Sequence, residues 1–215
     1  MSGQLTNNPE HVPMADKETS VFQFAHKDTS VSVSQRRKSL ETEDPLATDH
    51  TGDIVWPTAV AFCRYLCDKK LDLEGRRVLD LGAGTGLVGL VAHRLGAKSV
   101  TFTDVPRVLP LLNRNVTLHC IADATSKVAR RKPAGEAIVR PLFWGREEAE
   151  ELVQERGHFD LVMCCEVVYQ QPQETWRTHS VCLPTSRRRR GNGCALLRDP
   201  GGGLRCAPGE PGIAE

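Results

Sequence analysis

A glycine cluster between a short apolar run and a helical repeat is the feature that most constrains the fold of this chain. Residues 77–81 (Arg-Val-Leu-Asp-Leu) lead directly into residues 82–86 (Gly-Ala-Gly-Thr-Gly), and apolar residues then recur at helical spacing from Leu87 to Leu95. This order predicts a strand, a tight loop and a helix that ends before Gly96. In open parallel sheets a ligand binds where such a strand ends, and the start of the following helix favours an anionic group.

The alternation of strand and helix continues along the chain. The predicted elements are a helix that begins at Pro57, strands over 77–81, 99–103, 137–143 and 159–165, and helices over 87–95, from Pro106 onward and over 147–156. Strands that alternate with helices in this way are typical of βαβ units, whose strands pair in parallel. The sequence therefore predicts an α/β fold, a Rossmann-like parallel sheet with helices on both of its faces.

Composition divides the chain into three parts. Residues 1–52 are mostly polar and are predicted to form a flexible N-terminal arm with a hairpin at 21–33, where two short alternating stretches occur. Residues 53–177 carry the apolar periodicity of the folded domain. Residues 178–215 are rich in Gly, Pro and Arg without any apolar period, which predicts a disordered tail.

Charge and cysteine usage narrow the class of partner. The 28 basic and 27 acidic side chains give a net charge of +1, so no nucleic-acid partner is expected, and Arg187–Arg190 is interpreted as solvated charge rather than a nuclear-import patch. We expect neither secretion nor a membrane span, because the sequence has no apolar leader and no apolar run near the roughly 18 residues of a spanning helix. The cysteines show no zinc-ligand spacing, which predicts reduced thiols, no metal, and a cytoplasmic or nuclear protein.

Two acidic residues, Asp80 and Asp104, help to distinguish the ligands that the glycine loop could bind. Residues 84–89 match the dinucleotide fingerprint, with Asp104 about twenty residues further on, which leaves an NAD-dependent oxidoreductase open. Asp80, however, precedes the first glycine by two residues, where a carboxylate can bond an ammonium group through the loop. Asp104 would accept from both hydroxyls of a ribose. Asp80 for an ammonium group and Asp104 for a ribose would bind the two ends of one ligand, which favours S-adenosylmethionine as the cofactor.

The chain resembles the seven-strand methyltransferases that act on lysines of non-histone proteins, among them enzymes that modify elongation factors and chaperones. The resemblance covers roughly residues 20–175 and rests on Val55-Trp56-Pro57, Asp80-x-Gly82-x-Gly84-Thr85-Gly86, Asp104, Leu142-Phe143-Trp144-Gly145, Phe159-Asp160-Leu161-Val162 and Glu166-Val167-Val168-Tyr169. The glycine motif is shared by all such methyltransferases. The acid-x-x-Tyr motif, taken together with Val-Trp-Pro and Trp-Gly, is much narrower.

The resemblance implies a role for each matching residue. The predicted cofactor-binding residues are Trp56, Asp80, Gly82, Gly84, Thr85, Gly86, Asp104 and Trp144. In the family pattern the glycines and the threonine line the methionine portion, Asp104 binds the ribose, Trp144 lies near the adenine, and Trp56 flanks the cofactor. Glu166 is the candidate for holding or deprotonating the substrate lysine, and Tyr169 for shaping its channel. The partner would be a protein substrate, such as a chaperone or translation factor, and the enzyme a monomer.

The sequence departs from this family after Tyr169. A complete domain would continue with about 60 to 80 structured residues that include its closing strands. The Gly/Pro/Arg-rich tail does not match them, so we expect a truncated or replaced C-terminal part, with the fourth strand at the edge of the sheet. This departure keeps two alternatives open beside the lysine methyltransferase: a catalytically inactive fragment that serves as a protein-binding module, and the NAD-dependent oxidoreductase.

Overall fold

A computed structural model describes most of the chain. The described residues are 19–36, 51–68, 71–125, 135–165, 167, 178, 181–182, 193–198 and 204–208. The strands are β1 Thr19–His26, β2 Thr29–Arg36, β3 Arg77–Leu81, β4 Ser99–Asp104, β5 Glu136–Pro141, β6 Leu161–Cys165, β7 Gly193–Arg198 and β8 Leu204–Pro208. The helices are α1 Pro57–Cys67, α2 Leu87–Arg94, α3 Leu109–Thr125 and α4 Arg146–Arg156, and a 3-10 turn spans Thr51–Asp53. Within the described part of the chain, no helix combines the length and the apolar character needed to cross a bilayer.

Six strands form the central sheet in the order β5-β4-β3-β6-β7-β8. The pairs from β5 to β7 are parallel, and only β8 runs antiparallel to its neighbour. Since the glycine loop follows the central strand β3, it lies at the carboxyl edge, where the ends of β4, β5 and β6 also converge. The predicted parallel sheet is confirmed.

The two faces of the sheet follow the period-2 alternation of its strands. One face, which carries Val78, Phe102 and Met163, packs against α1, α2, α3 and the β1–β2 hairpin. The other face, which carries Leu79 and Val162, packs against α4. Helices therefore cover both faces, as the sequence predicts, and the strands next to β3 are buried on both sides.

The N-terminal hairpin is part of this core rather than a flexible arm. β1 and β2 pair from Thr19 opposite Arg36 to His26 opposite Thr29, so the turn consists of two residues. Lys27 in that turn adopts a φ of 51°. Phe24 and Val33 are 3% and 1% exposed and belong to the same cluster as the helices on that face. The structure thus has a hairpin at 19–36, where the sequence predicts one at 21–33, and these residues pack against the core instead of lying in a flexible arm.

The tail contains strands that the sequence pattern does not predict. β7 pairs in parallel with β6, and β8 pairs antiparallel with β7. Thr178 and Cys182 are buried, and Cys182 joins the cluster beneath α4. The prediction of disorder is therefore wrong for these segments, and β6 is not the edge of the sheet. Main-chain bonding to a preceding strand needs no apolar period, which is why periodicity misses it.

Candidate functional site

Three glycines in the left-handed region shape the loop between β3 and α2. Gly82, Gly84 and Gly86 have φ values of 69°, 56° and 84°, which side-chain-bearing residues rarely adopt. The Ala83 N–H donates to the Thr103 carbonyl at 2.9 Å, so the loop is tied to the end of β4. Helix α2 begins immediately after Gly86 and directs its N-terminus towards this edge of the sheet.

Asp104 lies directly beside the glycine loop. Its Oδ2 accepts from the Gly84 N–H at 2.8 Å, and its Oδ1 accepts from the Val105 N–H at 2.8 Å. Burial raises the pKa of Asp104, and nearby Asp53 adds to the rise, while the two N–H donors and Arg107 act in the opposite direction. Two adjacent strands thus bring the predicted ribose-binding acid into contact with the loop.

Asp80 is placed under the loop, inside the core. It is 2% exposed, and its Oδ2 accepts from the Gly89 N–H in the first turn of α2 at 2.8 Å. Burial raises the pKa of Asp80 to about 7, the charge of Asp104 acts in the same direction, and the Gly89 donor opposes it. The carboxyl group therefore serves first as an anchor for the start of the helix.

Trp144 meets the loop from the end of β5. A Cβ built on Gly82 would lie 3.2 Å from Cζ2 of Trp144 and 2.6 Å from Cγ1 of Val167, so the bare glycine backbone contacts both side chains. Phe143, immediately before Trp144, is 57% exposed on the same edge. This edge therefore presents aromatic surface beside the glycine backbone.

Trp56 approaches the loop through the 3-10 turn. Its Nε1 donates to the Thr51 carbonyl at 3.0 Å, and its side chain is 40% exposed. Gly52, in the same turn, packs against Gly84, because a Cβ on Gly84 would lie 3.0 Å from the Gly52 carbonyl oxygen. The segment before α1 thus forms a wall over the glycine loop, with an exposed indole at its end.

The two cysteines that end β6 point to opposite faces, as their alternation predicts. Cys164 belongs to the cluster under α4, while Cys165 packs against the cluster under α1. Burial raises the pKa of Cys164 and the pKa of Cys63, so these buried thiols remain protonated.

Among the residues that the structure describes, no group of three or more His, Cys, Asp and Glu is arranged to hold a metal ion.

Of the ten predicted site residues, Glu166 and Tyr169 lie outside the described part of the chain, and their roles stay predictions. The other eight meet at the carboxyl edge: Trp56, Asp80, Gly82, Gly84, Thr85, Gly86, Asp104 and Trp144. Sequence reasoning missed Asn115, which binds the loop at Thr85. In the sequence, the signal that could have found it is an amide side chain between the apolar positions Leu112 and Val116 of a predicted helix.

Comparison with solved structures identifies the class of fold. The chain superposes on a T. thermophilus 16S rRNA methyltransferase in complex with AdoMet and guanosine, with a TM-score of 0.52, 16% sequence identity and coverage of 87% of this chain and 44% of that one. It superposes on a SAM-dependent methyltransferase from Agrobacterium tumefaciens with a TM-score of 0.51, 17% identity and coverage of 88% and 55%. The sheet and its helices are therefore those of the Rossmann-like class I methyltransferases.

Sequence comparison then narrows the class to a family. A family model described as lysine methyltransferase matches residues 34–176, and the chain belongs to that family. It is 30% identical over 158 residues to protein N-lysine methyltransferase METTL21A of Xenopus tropicalis, which covers 74% of this chain and 66% of the relative. It is 40% identical over 117 residues to METTL21A of Danio rerio (54% and 47%), and 36% identical over 118 residues to EEF1A lysine methyltransferase 3 of Mus musculus (55% and 44%). The chain spans about half the length of the curated relatives it matches, from 41% to 66%.

Proposed function

We propose that this chain binds S-adenosylmethionine at the carboxyl edge of its sheet and transfers the methyl group to a lysine side chain of a non-histone protein. The observation that carries the proposal is the bond between Asp104 and the backbone of Gly84. It places an acid that can accept from a ribose beside a glycine loop that opens onto a helix N-terminus. Family membership and the methyltransferase fold support the same chemistry.

The residues present fit this cofactor. The free lone pairs of the Asp104 carboxylate suit a pair of ribose hydroxyls, since each oxygen that takes one backbone N–H can accept a second donor. Trp144 offers an aromatic face for an adenine, and Trp56 offers a second wall across the loop. The glycine backbone at 82–86 allows the methionine portion to approach closely.

The chain's own residues have two tasks in methyl transfer. The cofactor, when bound, supplies a methyl group bonded to a sulfonium sulfur. The amine attacks the methyl carbon in line with that carbon–sulfur bond, so the protein must align the amine and keep it neutral. A lysine ammonium has a pKa of about 10.4, which desolvation between aromatic walls lowers. We assign the holding or deprotonation of that lysine to Glu166 and the shaping of its channel to Tyr169. Val167, which lies between them in sequence, packs against Gly82.

The proposed partner is a protein substrate. One relative is named for methylation of EEF1A, which makes a translation factor the first candidate, with chaperones as the second. We propose a monomeric enzyme of the cytoplasm and nucleus. Cys63, Cys67 and Cys164 are buried thiols that form no disulfide, which suits a reducing compartment.

Calorimetric titration with S-adenosylhomocysteine tests cofactor binding. The wild type should bind it and not NADH, and Asp104→Ala should weaken binding by about tenfold or more, since a bond to a charged acceptor is worth about 1.5 to 3 kcal/mol. Asp160→Ala is the matched control, because Asp160 also accepts from a backbone N–H, that of Arg77, but at the opposite edge of the sheet. A folded chain that binds NADH, or binds neither ligand, contradicts the proposal.

Activity requires a second experiment, because the chain spans only part of its relatives. Purified EEF1A is incubated with the chain and radiolabelled S-adenosylmethionine, and methylated lysines are located by mass spectrometry. We expect labelling that Glu166→Gln abolishes without loss of S-adenosylhomocysteine binding. Cofactor binding without labelling of EEF1A or of a chaperone would favour the alternative, an inactive fragment that binds protein partners.

A further inference from the structure

Asn115 in α3 joins two parts of the chain that the proposed cofactor site needs. Its side chain is buried, with 1% exposure. Its Nδ2 donates to the Ser34 carbonyl at 2.9 Å and to the Thr85 carbonyl at 2.9 Å, and its Oδ1 accepts from the Ser34 N–H at 2.8 Å. One amide thus links the N-terminal hairpin to the centre of the glycine loop.

The bond to Thr85 occurs where the helix would otherwise extend into the loop. In a regular helix the Gly89 N–H would donate to the carbonyl four residues earlier, which is that of Thr85. Here it donates instead to Asp80, while the Thr85 carbonyl accepts from Asn115. The two side chains together stop α2 from gaining a further N-terminal residue and so hold the loop open.

The bonds to Ser34 fix the other side of the link. Ser34 presents both its N–H and its carbonyl to the amide, as it would to a neighbouring strand. Next to it, Gln35 accepts from the Val55 N–H at 2.9 Å through its side-chain oxygen. Val55 directly precedes Trp56, so the end of β2 braces both the glycine loop and the wall that faces it.

We infer that Asn115 is a positioning residue for the cofactor site, which sets the conformation of the glycine loop by anchoring Thr85 to the N-terminal hairpin. The inference rests on the proposed function and adds to it a role for the hairpin. Thr85 lies between Gly84 and Gly86, both with positive φ, so the loop itself offers little resistance to rearrangement. Without the amide, the Thr85 carbonyl loses a buried partner and the loop relaxes away from the shape that binds ligand.

The test compares Asn115→Ala with Val31→Ala. Val31 is a buried hairpin residue, 3% exposed, whose truncation weakens the same docked hairpin and leaves the three bonds of Asn115 in place. Affinity for S-adenosylhomocysteine is measured by calorimetry well below both unfolding temperatures. Amide hydrogen exchange over residues 83–90 is measured in the ligand-free protein.

We expect Asn115→Ala to accelerate exchange in the loop and to weaken binding, each by about tenfold or more, while Val31→Ala changes each by less than about twofold. Equal effects of the two variants would reduce Asn115 to a structural residue and overturn the inference. Unchanged loop exchange in Asn115→Ala would also overturn it. If the wild type does not bind S-adenosylhomocysteine, the proposed function fails, and loop exchange alone then decides the role of Asn115.

Gln35→Ala keeps the inference testable should Asn115→Ala fail to fold. This change removes the bond to Val55 from a half-buried position and leaves the core intact. Faster exchange at Val55 together with about threefold weaker S-adenosylhomocysteine binding would support the role of the hairpin as a brace of the site. Unchanged exchange and unchanged binding would overturn it.

Discussion

Replacement of Asp80 by asparagine should make the fold more stable at neutral and alkaline pH. The carboxyl group is buried, and burial raises its pKa from 3.8 to about 7. Asparagine has nearly the same shape as a protonated aspartic acid, and its oxygen can keep the bond from the Gly89 N–H. The substitution therefore removes a group that ionises in the core and preserves the geometry around it.

The sign and size of the effect follow from proton linkage. The folded chain binds the Asp80 proton more tightly than the unfolded chain does, so stability falls as pH rises between 3.8 and about 7 and stays low above that range. A shift of roughly three units, at about 1.4 kcal/mol each, corresponds to about 4 kcal/mol as an upper bound. Asp80→Asn lacks this loss. Its advantage over the wild type should be near zero at about pH 4 and largest at about pH 8.

Urea unfolding of both proteins across that pH range measures the effect. The difference between the two free energies of unfolding removes the titration of the groups that do not interact with Asp80, which both proteins share. Asp160→Asn controls for the loss of one carboxylate as such, since Asp160 caps the opposite edge of the sheet. A flat difference curve, or a wild type that gains on the variant as pH rises, would falsify the argument from burial.

Three further outcomes follow from the same geometry. Gly82→Ala should lose about 1 to 3 kcal/mol of stability and most S-adenosylhomocysteine affinity, because its Cβ would lie 2.6 Å from Val167 at a φ of 69°. Urea melts measure the loss of stability and calorimetry the loss of affinity, and wild-type values would contradict the steric argument. An NMR titration of Asp68 should give a pKa of about 2, because bonds from Lys27 and then His26 favour the carboxylate. The stabilisation that the Asp68 carboxylate gives to the hairpin turn is present above pH 3.8 and disappears as pH falls through 2. An unshifted pKa would refute the pairing. Phe62→Ala should cost about 3 to 5 kcal/mol in a urea melt, since the ring is fully buried; a loss below about 1 kcal/mol would mean that the cluster under α1 is loosely packed.

The sequence predicts the elements around the glycine loop well because local signals define them. Strand β3 occupies the predicted residues Arg77–Leu81, and α2 ends at Arg94, one residue before the predicted end. The glycines on either side of α2 account for this agreement, since they mark both its start and its end. The same local signals correctly place Asp104 at the end of β4, where parallel topology brings it to the loop.

Other features depend on contacts between distant segments. α3 begins at Leu109 rather than Pro106, since residues 106–108 form a turn that ends in buried Val108. Strand β7 depends on pairing with β6, and β8 depends on pairing with β7, which no periodicity encodes. The role of Asn115 depends on Ser34, which lies 81 residues earlier, so the helix pattern alone reveals only a polar residue on an apolar face.

The separations along the chain at the glycine loop also imply an order of assembly. The bond from Gly84 to Asp104 closes 20 residues, the bond from Asn115 to Thr85 closes 30, and the bonds from Asn115 to Ser34 close 81. The entropy cost of loop closure grows with separation, and contacts distant in sequence slow folding. We therefore expect refolding to shape the loop first and to dock the hairpin last. A segment synthesised early would then complete the site only after its partner helix has formed.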